Sequence, residues 1–176
     1  GVNFMSYDPF NIGHEVGGAA LYYNSQNPFG EGTFKDCVLN STVNSAVNLA
    51  LSKNSHLNFD GCQFQCSDRT HPTVSINTSW QTGATNQKVA FSDCTFDSEA
   101  TPLLDIEDKN NLQGDQSNQG GEAVLTFLNN VFTIPSGVTP GYTLLGGDKK
   151  NDRCLVGSIE LGRESTGNNL TFLNAK

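Results

Sequence analysis

The chain has 176 residues, of which 36% are hydrophobic and 18 are glycine, a composition typical of one folded domain and not of a disordered chain. Eighteen acidic residues against ten basic ones give a net charge of −8, which excludes nucleic acids and anionic membranes as expected partners. No apolar run approaches the roughly 20 residues needed to span a bilayer, so we expect no membrane insertion.

The first elements in chain order are an N-terminal stretch and then a recurring phrase. Residues 1–16 are predicted to cap one end of the domain or to lead into it. After them an eight-residue phrase recurs. Its positions are an apolar residue, a spacer, Phe, a spacer, a corner residue, a small residue, a spacer and an apolar residue. The five copies centre on Phe34, Phe59, Phe91, Phe127 and Phe172. Their spacing of about 25 to 45 residues is typical of solenoid repeats.

The corner residue predicts a sharp bend in each phrase. Two positions after each Phe stands a residue type that enters the left-handed backbone region at low cost. These residues are Asp36, Gly61, Asp93, Asn129 and Asn174. Before the bend, apolar residues alternate with a period of two, as in a strand with one buried face. After it, Leu39, Phe64, Phe96 and Phe132 are predicted to point inward again.

A second apolar alternation lies between successive phrases and predicts a further strand in each repeat. Its members are Ala19, Leu21 and Tyr23; Val47, Leu49 and Leu51; Val74 and Ile76; Leu104 and Ile106; and Leu144. If Val47, Val74 and Leu104 share one register, two outward rows follow on the exposed face. The first row is Asn48, Ser75 and Asp105, and the second is Ala50, Asn77 and Glu107.

These phrases carry a resemblance to a known family. The Phe-x-Asp-Cys-x-Phe pattern, the entry Gly17-Gly18-Ala19-Ala20 and the Asn or Asp corners resemble the right-handed parallel β-helix of the pectin-lyase-like superfamily. The resemblance implies an all-β, single-stranded parallel β-helix of about five coils over residues 17–176. That fold carries polysaccharide lyases, glycoside hydrolases, phage tailspikes and adhesins, so it does not select one activity. The alternative is an antiparallel β-sandwich with chance similarity between strands.

Three of the five cysteines are predicted to serve packing and not chemistry. Cys37, Cys62 and Cys94 hold the same place in three phrases, and Asn130 and Ala175 continue the column, as in an interior ladder. An odd number leaves at least one thiol unpaired within a monomer, and the states of Cys66 and Cys154 are open. Because the three histidines are scattered, we expect no zinc site.

One carboxylate pair is the candidate for catalysis. Asp105 and Glu107 are two residues apart on one predicted strand, so they point the same way with Cα atoms about 6.6 Å apart. Such a pair could flank a glycosidic bond as acid and base or nucleophile, or it could be a solvated strand face. With the polar loop Asp108–Glu122 the pair could also bind Ca²⁺, although no EF-hand spacing is present and no other cofactor is expected.

Residues suited to sugars surround this face. Trp80 and Tyr22 could stack on pyranose rings, and amide, hydroxyl and guanidinium groups nearby could bind hydroxyls. The candidate ligand-binding residues are Trp80, Tyr22, Asn48, Ser75, Asn77, Gln81 and Arg69.

Two hypotheses from different classes follow. The first is a non-catalytic extracellular, cell-surface or virion module that binds a polysaccharide, a surface glycan or a host protein. The second is a polysaccharide-degrading enzyme, a glycoside hydrolase more than a lyase, because no basic residue falls among the outward positions. A chain that begins with Gly1 is typical of a processed or excised segment. A homotrimer would cover the strand edges that an open solenoid exposes at its ends.

Overall fold

The computed structural model of the protein describes residues 3–6, 19–24, 30–77, 85–99, 103–107, 123–133, 135–137, 141–144, 158–161 and 169–173. This part of the chain forms sixteen β-strands and contains no helix, and so no helix that could span a membrane. The strands are β1 (Asn3–Ser6), β2 (Leu21–Asn24), β3 (Gly30–Lys35), β4 (Val38–Ser41), β5 (Val47–Ala50), β6 (Ser55–Asp60), β7 (Gln63–Cys66), β8 (Val74–Asn77), β9 (Gln87–Ser92), β10 (Thr95–Ser98), β11 (Leu104–Glu107), β12 (Ala123–Leu128), β13 (Val131–Thr133), β14 (Gly141–Leu144), β15 (Ser158–Leu161) and β16 (Asn169–Leu173).

The strands form three sheets. Sheet 1 has the order β1-β4-β7-β10-β13, sheet 2 has the order β14-β15-β11-β8-β5-β2, and sheet 3 has the order β16-β12-β9-β6-β3. All the pairings between these strands are parallel. From β4 to β14, each strand joins the sheet of the strand three places before it. The described part is therefore all-β with parallel sheets, compatible with a β-helix or solenoid, and the antiparallel sandwich is wrong for these strands.

Among the described strands, the order in which successive strands join the three sheets changes once, between β14 and β15. Both β14 and β15 join sheet 2, and β15 rather than β14 lies next to β11. The register sets Ile159 opposite Leu104 and Leu161 opposite Ile106, so the apolar positions of β15 continue those of β11. The sequence alternation predicted a single strand around Leu144 in this interval and missed β15.

The predicted Phe register is confirmed. Parallel pairing joins Phe34 to Phe59, Phe59 to Phe91, Phe91 to Phe127 and Phe127 to Phe172 along sheet 3. The corners are confirmed as well. The backbone has a positive φ at Asp36 (50°), Gly61 (63°), Asp93 (53°) and Asn129 (55°), while Asn174 lies outside the described residues.

The core is built from two stacks of phenylalanine rings. In the first, Phe34, Phe59, Phe91 and Phe127 lie with successive ring centroids 4.9 Å apart. In the second, Phe64, Phe96 and Phe132 lie 4.7–4.8 Å apart, and edge-to-face contacts of 5.5–5.6 Å join the two stacks. Each ring therefore combines apolar burial with aromatic contacts, worth roughly 0.5–1.5 kcal/mol per pair beyond burial. The inward prediction for Leu39, Phe64, Phe96 and Phe132 is confirmed by their burial.

The cysteine column is also interior, as predicted. Cys37, Cys62, Cys94 and Asn130 are all buried. Backbone hydrogen bonds of 2.8–2.9 Å link successive members of the column: Gln63 N donates to Cys37 O, Thr95 N to Cys62 O, and Val131 N to Cys94 O. The described cysteines, Cys37, Cys62, Cys66 and Cys94, are free thiols.

The N-terminal boundary at residues 16 and 17 stays a prediction. Within residues 1–16, β1 pairs in parallel with β4 and so extends sheet 1 by one strand. Residues 7–18 lie outside the described part of the chain.

Candidate functional site

The first predicted row on sheet 2 is aligned as the sequence indicates. Parallel pairing places Tyr22 opposite Asn48, Asn48 opposite Ser75, and Ser75 opposite Asp105. The face is less open than the alternation predicts, since Ser75 is only 7% exposed while Tyr22 is 40% exposed. The Ser75 side chain is short and lies between strands about 4.8 Å away on each side, so its neighbours shield it from solvent.

The second predicted row is aligned too. Ala50 stands opposite Asn77, and Asn77 opposite Glu107. Ala50 is buried for the same reason as Ser75. Sequence reasoning missed one acid in this region, because β15 sets Glu160 opposite Asp105. The alternation Ser158-Ile159-Glu160-Leu161, which copies that of β11, was the signal that could have found it.

Two candidate sugar-binding residues cannot be placed against this face. Trp80 and Gln81 lie outside the described residues, as does the polar loop Asp108–Glu122. Their roles stay predictions.

A more completely described surface lies on sheet 1. Asn40, Gln65, Asp97 and Thr133 stand opposite one another on β4, β7, β10 and β13. Because the residue before each of them points into the core, this row points outward. It presents two amides, a carboxylate and a hydroxyl, one group per strand at intervals of about 4.8 Å.

Two cavities open along this row, and we call them together the sheet 1 groove. The larger, of about 380 Å³, is lined by Arg69, Asp97, Ser98, Glu99, Thr133, Pro135 and Ser136. The smaller, of about 220 Å³, is lined by Asn40, Gln65, Cys66, Ser67, Asp97 and Glu99. Asp97 and Glu99 line both cavities, so the two spaces adjoin at β10. Together they fall within the roughly 300–1,000 Å³ typical of ligand sites.

An ion pair crosses the groove between loops of two successive repeats. Arg69 Nε, after β7, lies 3.3 Å from Glu99 Oε2, after β10, and both side chains are exposed. Arg69, one of the candidate ligand-binding residues predicted from sequence, therefore lies in this groove. Its charge compensates that of Glu99.

The loop that carries Arg69 is held by its neighbours. Asp68 Oδ1 accepts hydrogen bonds from Thr70 N at 2.7 Å and Thr70 Oγ1 at 2.6 Å, and Asp68 Oδ2 lies 2.7 Å from His71 Nδ1. Burial by itself would raise the pKa of Asp68, but the hydrogen bonds from Thr70 and His71 outweigh it and hold that pKa below its usual value. The carboxylate therefore fixes the loop as an ionised acceptor.

The thiol in the groove is not a nucleophile. Burial raises the pKa of Cys66 to about 11, and its Sγ donates to Asn44 O at 3.1 Å. A protonated thiol with a hydrogen-bond partner has little of the thiolate character that reaction requires. In the described part of the chain, no three His, Cys, Asp or Glu side chains are grouped as a metal site.

Sequence reasoning missed the members of the sheet 1 row. A signal was present, since Asn40, Gln65, Asp97 and Thr133 each stand six positions after the Phe of their phrase. All are polar, and each is the last or next-to-last residue of its strand. Aligning the phrases beyond their last apolar residue would have shown the row.

Comparison with known proteins gives no relative for this chain. No family model, curated protein or solved structure matches it.

Proposed function

We propose that the chain is a right-handed parallel β-helix of about five coils, of the pectin-lyase-like type, that binds a glycan on its outer wall without catalysis. The observation that carries this proposal is the outward row Asn40, Gln65, Asp97 and Thr133 with its two adjoining cavities. Each sugar hydroxyl both donates and accepts hydrogen bonds, and the amides and the hydroxyl of the row can do the same.

The charges in the groove favour binding over hydrolysis. Hydrolysis of a glycosidic bond uses two carboxyl groups on either side of that bond. In the groove, Glu99 is paired with Arg69, which leaves Asp97 as the one acid among the described lining residues that forms no ion pair with another described residue. The repetition of the row along successive strands suits a polymer that runs across the strands.

An extracellular, cell-surface or virion location is part of the proposal. Free thiols persist in an oxidising compartment when they are shielded and protonated. Burial raises the pKa of Cys94 to about 12 and that of Cys66 to about 11, so these thiols meet that condition. Assembly into a trimer would cover the strand edges that an open solenoid exposes at its ends.

The proposal is tested on a glycan array followed by titration of the best ligand. Binding should fall at least tenfold in a Gln65→Ala, Thr133→Ala double variant, because both cavities lose a hydrogen-bonding group. An Asn58→Ala variant on sheet 3 is the matched control and should bind as the parent does. Equal losses in both, or no binding to any glycan, would contradict the proposal.

The alternative function is a glycoside hydrolase that uses Asp105 and Glu107. The register of β15 favours keeping it, because the backbone pairing sets a third acidic residue, Glu160, opposite Asp105. Release of reducing ends from a polysaccharide panel, lost in Asp105→Asn and Glu107→Gln, would establish the enzyme. Unchanged glycan binding in these variants, with no turnover in the parent, supports the non-catalytic module.

A further inference from the structure

In the sheet 1 groove, two hydrogen-bond acceptors are available to a ligand. Asp97 has no ion pair among the described residues, and an ionised carboxylate can only accept hydrogen bonds. Asn40 Oδ1, beside the smaller cavity, is buried with no hydrogen-bond partner among the described residues. Asn40 is one of the residues that line this cavity, so a ligand bound there lies beside its amide. A ligand that donates would therefore satisfy both groups.

The charge of the groove points to the same kind of ligand. Arg69 compensates Glu99, so Asp97 leaves the described lining residues with one net negative charge. The whole chain carries a net charge of −8, which adds a negative field over the surface. An anionic glycan would meet repulsion from both, whereas a cationic group would be attracted to Asp97.

We propose, building on the proposed glycan-binding function, that the sheet 1 groove selects glycans with protonated amino groups over neutral and anionic glycans. Asp97 is the residue that selects. An ammonium group has three donors and no acceptor, which complements a carboxylate flanked by acceptor oxygens. Gln65 and Thr133 stand opposite Asp97 on the two neighbouring strands, so their side-chain oxygens can accept the remaining donors.

Asp97 lies where the two cavities meet, and this position gives the amine a defined place. A sugar whose amino group contacts Asp97 has the smaller cavity on one side and the larger on the other. The neighbouring sugars of an oligomer can then enter both cavities, so an oligomer should bind more tightly than the single amino sugar.

The test compares three oligosaccharides of equal length by isothermal titration at mildly acidic pH: glucosamine, N-acetylglucosamine and galacturonate oligomers. The glucosamine oligomer should bind the parent about tenfold more tightly than the N-acetylated one, the equivalent of one charge-assisted hydrogen bond. The galacturonate oligomer should bind most weakly. Asp97→Asn should abolish the preference for the amine, so that the glucosamine and N-acetylglucosamine oligomers bind this variant with equal affinity.

Two further variants test the effect of charge: one should raise the preference for the amine, and the other is a control that should not change it. Arg69→Gln frees the Glu99 carboxylate and should increase the preference for the amine. Glu31→Gln removes an equal charge from sheet 3 and should leave the preference unchanged.

The outcomes separate the inference from the function on which it rests. Equal binding of the amine and N-acetylated oligomers overturns the selectivity and leaves glycan binding in place. A preference that survives Asp97→Asn, or that falls equally in Glu31→Gln, also overturns it. Binding of none of the three oligomers, with no other glycan bound on the array, removes the proposed function itself.

Discussion

Asn130 holds the place in its repeat that Cys94 holds in the preceding repeat, and the Asn130 amide joins the two. Cys94 N donates to Asn130 Oδ1 at 2.8 Å, and Asn130 Nδ2 donates to Phe91 O at 3.0 Å. The cysteines of the column make the second of these contacts with their thiols. Cys62 Sγ donates to Phe34 O at 3.4 Å, and Cys94 Sγ donates to Phe59 O at 3.5 Å. Cys62, Cys94 and Asn130 thus each donate from a small side chain to the Phe carbonyl of the repeat before them.

Asn130→Ala should destabilise the fold by about 2–3 kcal/mol, because two buried partners lose their hydrogen bonds. Asn130→Cys should cost less, because its thiol can donate to Phe91 O as the other cysteines of the column donate to their Phe carbonyls. Urea unfolding of the two variants measures the difference. A cysteine variant no more stable than the alanine variant would show that the contact to the Phe carbonyl contributes nothing.

Removing a ring from the centre of the Phe stack should destabilise the fold more than removing one from its end. Phe91 is fully buried and contacts four other rings, whereas Phe34 is half-buried and stacks on Phe59. Phe91→Ala should cost about 3–5 kcal/mol, the range for removing a buried aromatic side chain. Phe34→Ala should cost clearly less. Chemical denaturation compares them, and equal losses would mean that the stack is not the source of core stability.

Much of the fold was predictable because one side chain marks the register of each repeat. Phe at a constant distance from a corner residue predicts which strands pair, and the pairing of Phe59 with Phe91 confirms it. The position of β15 was not predictable in the same way. A strand of four residues with no Phe and no corner carries only its alternation, which many short segments share.

The candidate site was harder to predict because the exposure of a side chain depends on the neighbouring strands and loops as well as on its place in the alternation. Alternation predicted that Ser75 faces outward, but its neighbours bury it. The alternation carries no information about the loops after β7, β10 and β13. Residues of these loops line the cavities beside the row that contains Asp97. The period of the apolar residues does not predict ion pairs between loops, such as that of Arg69 with Glu99.

A side chain at position 30 should clash with Tyr23. A Cβ at Gly30 would overlap Tyr23 Oη, and the Tyr23 hydroxyl itself is 3.4 Å from Ser55 Oγ. Gly30→Ala should therefore displace Tyr23 and lower the melting temperature by several degrees, as expected for a loss of about 1–3 kcal/mol from overpacking. Gly32→Ala is the control, since its Cβ would meet Leu57 Cδ2 at 3.2 Å and should cost less. A larger loss at Gly32 would contradict this packing.

Asp68 should make the fold sensitive to acid. Its pKa is lowered in the folded state, because hydrogen bonds from Thr70 and His71 outweigh the opposing effect of burial. Its stabilisation is therefore present above the ordinary Asp pKa of about 3.9 and is lost as the pH falls through the lower folded value. Unfolding free energies measured between neutral pH and pH 2 should fall less steeply in Asp68→Asn and in Thr70→Val than in the parent. An identical slope in all three proteins would show that Asp68 makes no such contribution.

The central claim, that the outer wall of sheet 1 binds a glycan, is tested most directly by a crystal structure with the best oligosaccharide from the array. We expect sugar density along the groove, with hydrogen bonds to Gln65, Asp97 and Thr133 and the chain of sugars running across the strands. Density confined to the face of sheet 2 around Tyr22, with the sheet 1 groove empty, would contradict the account.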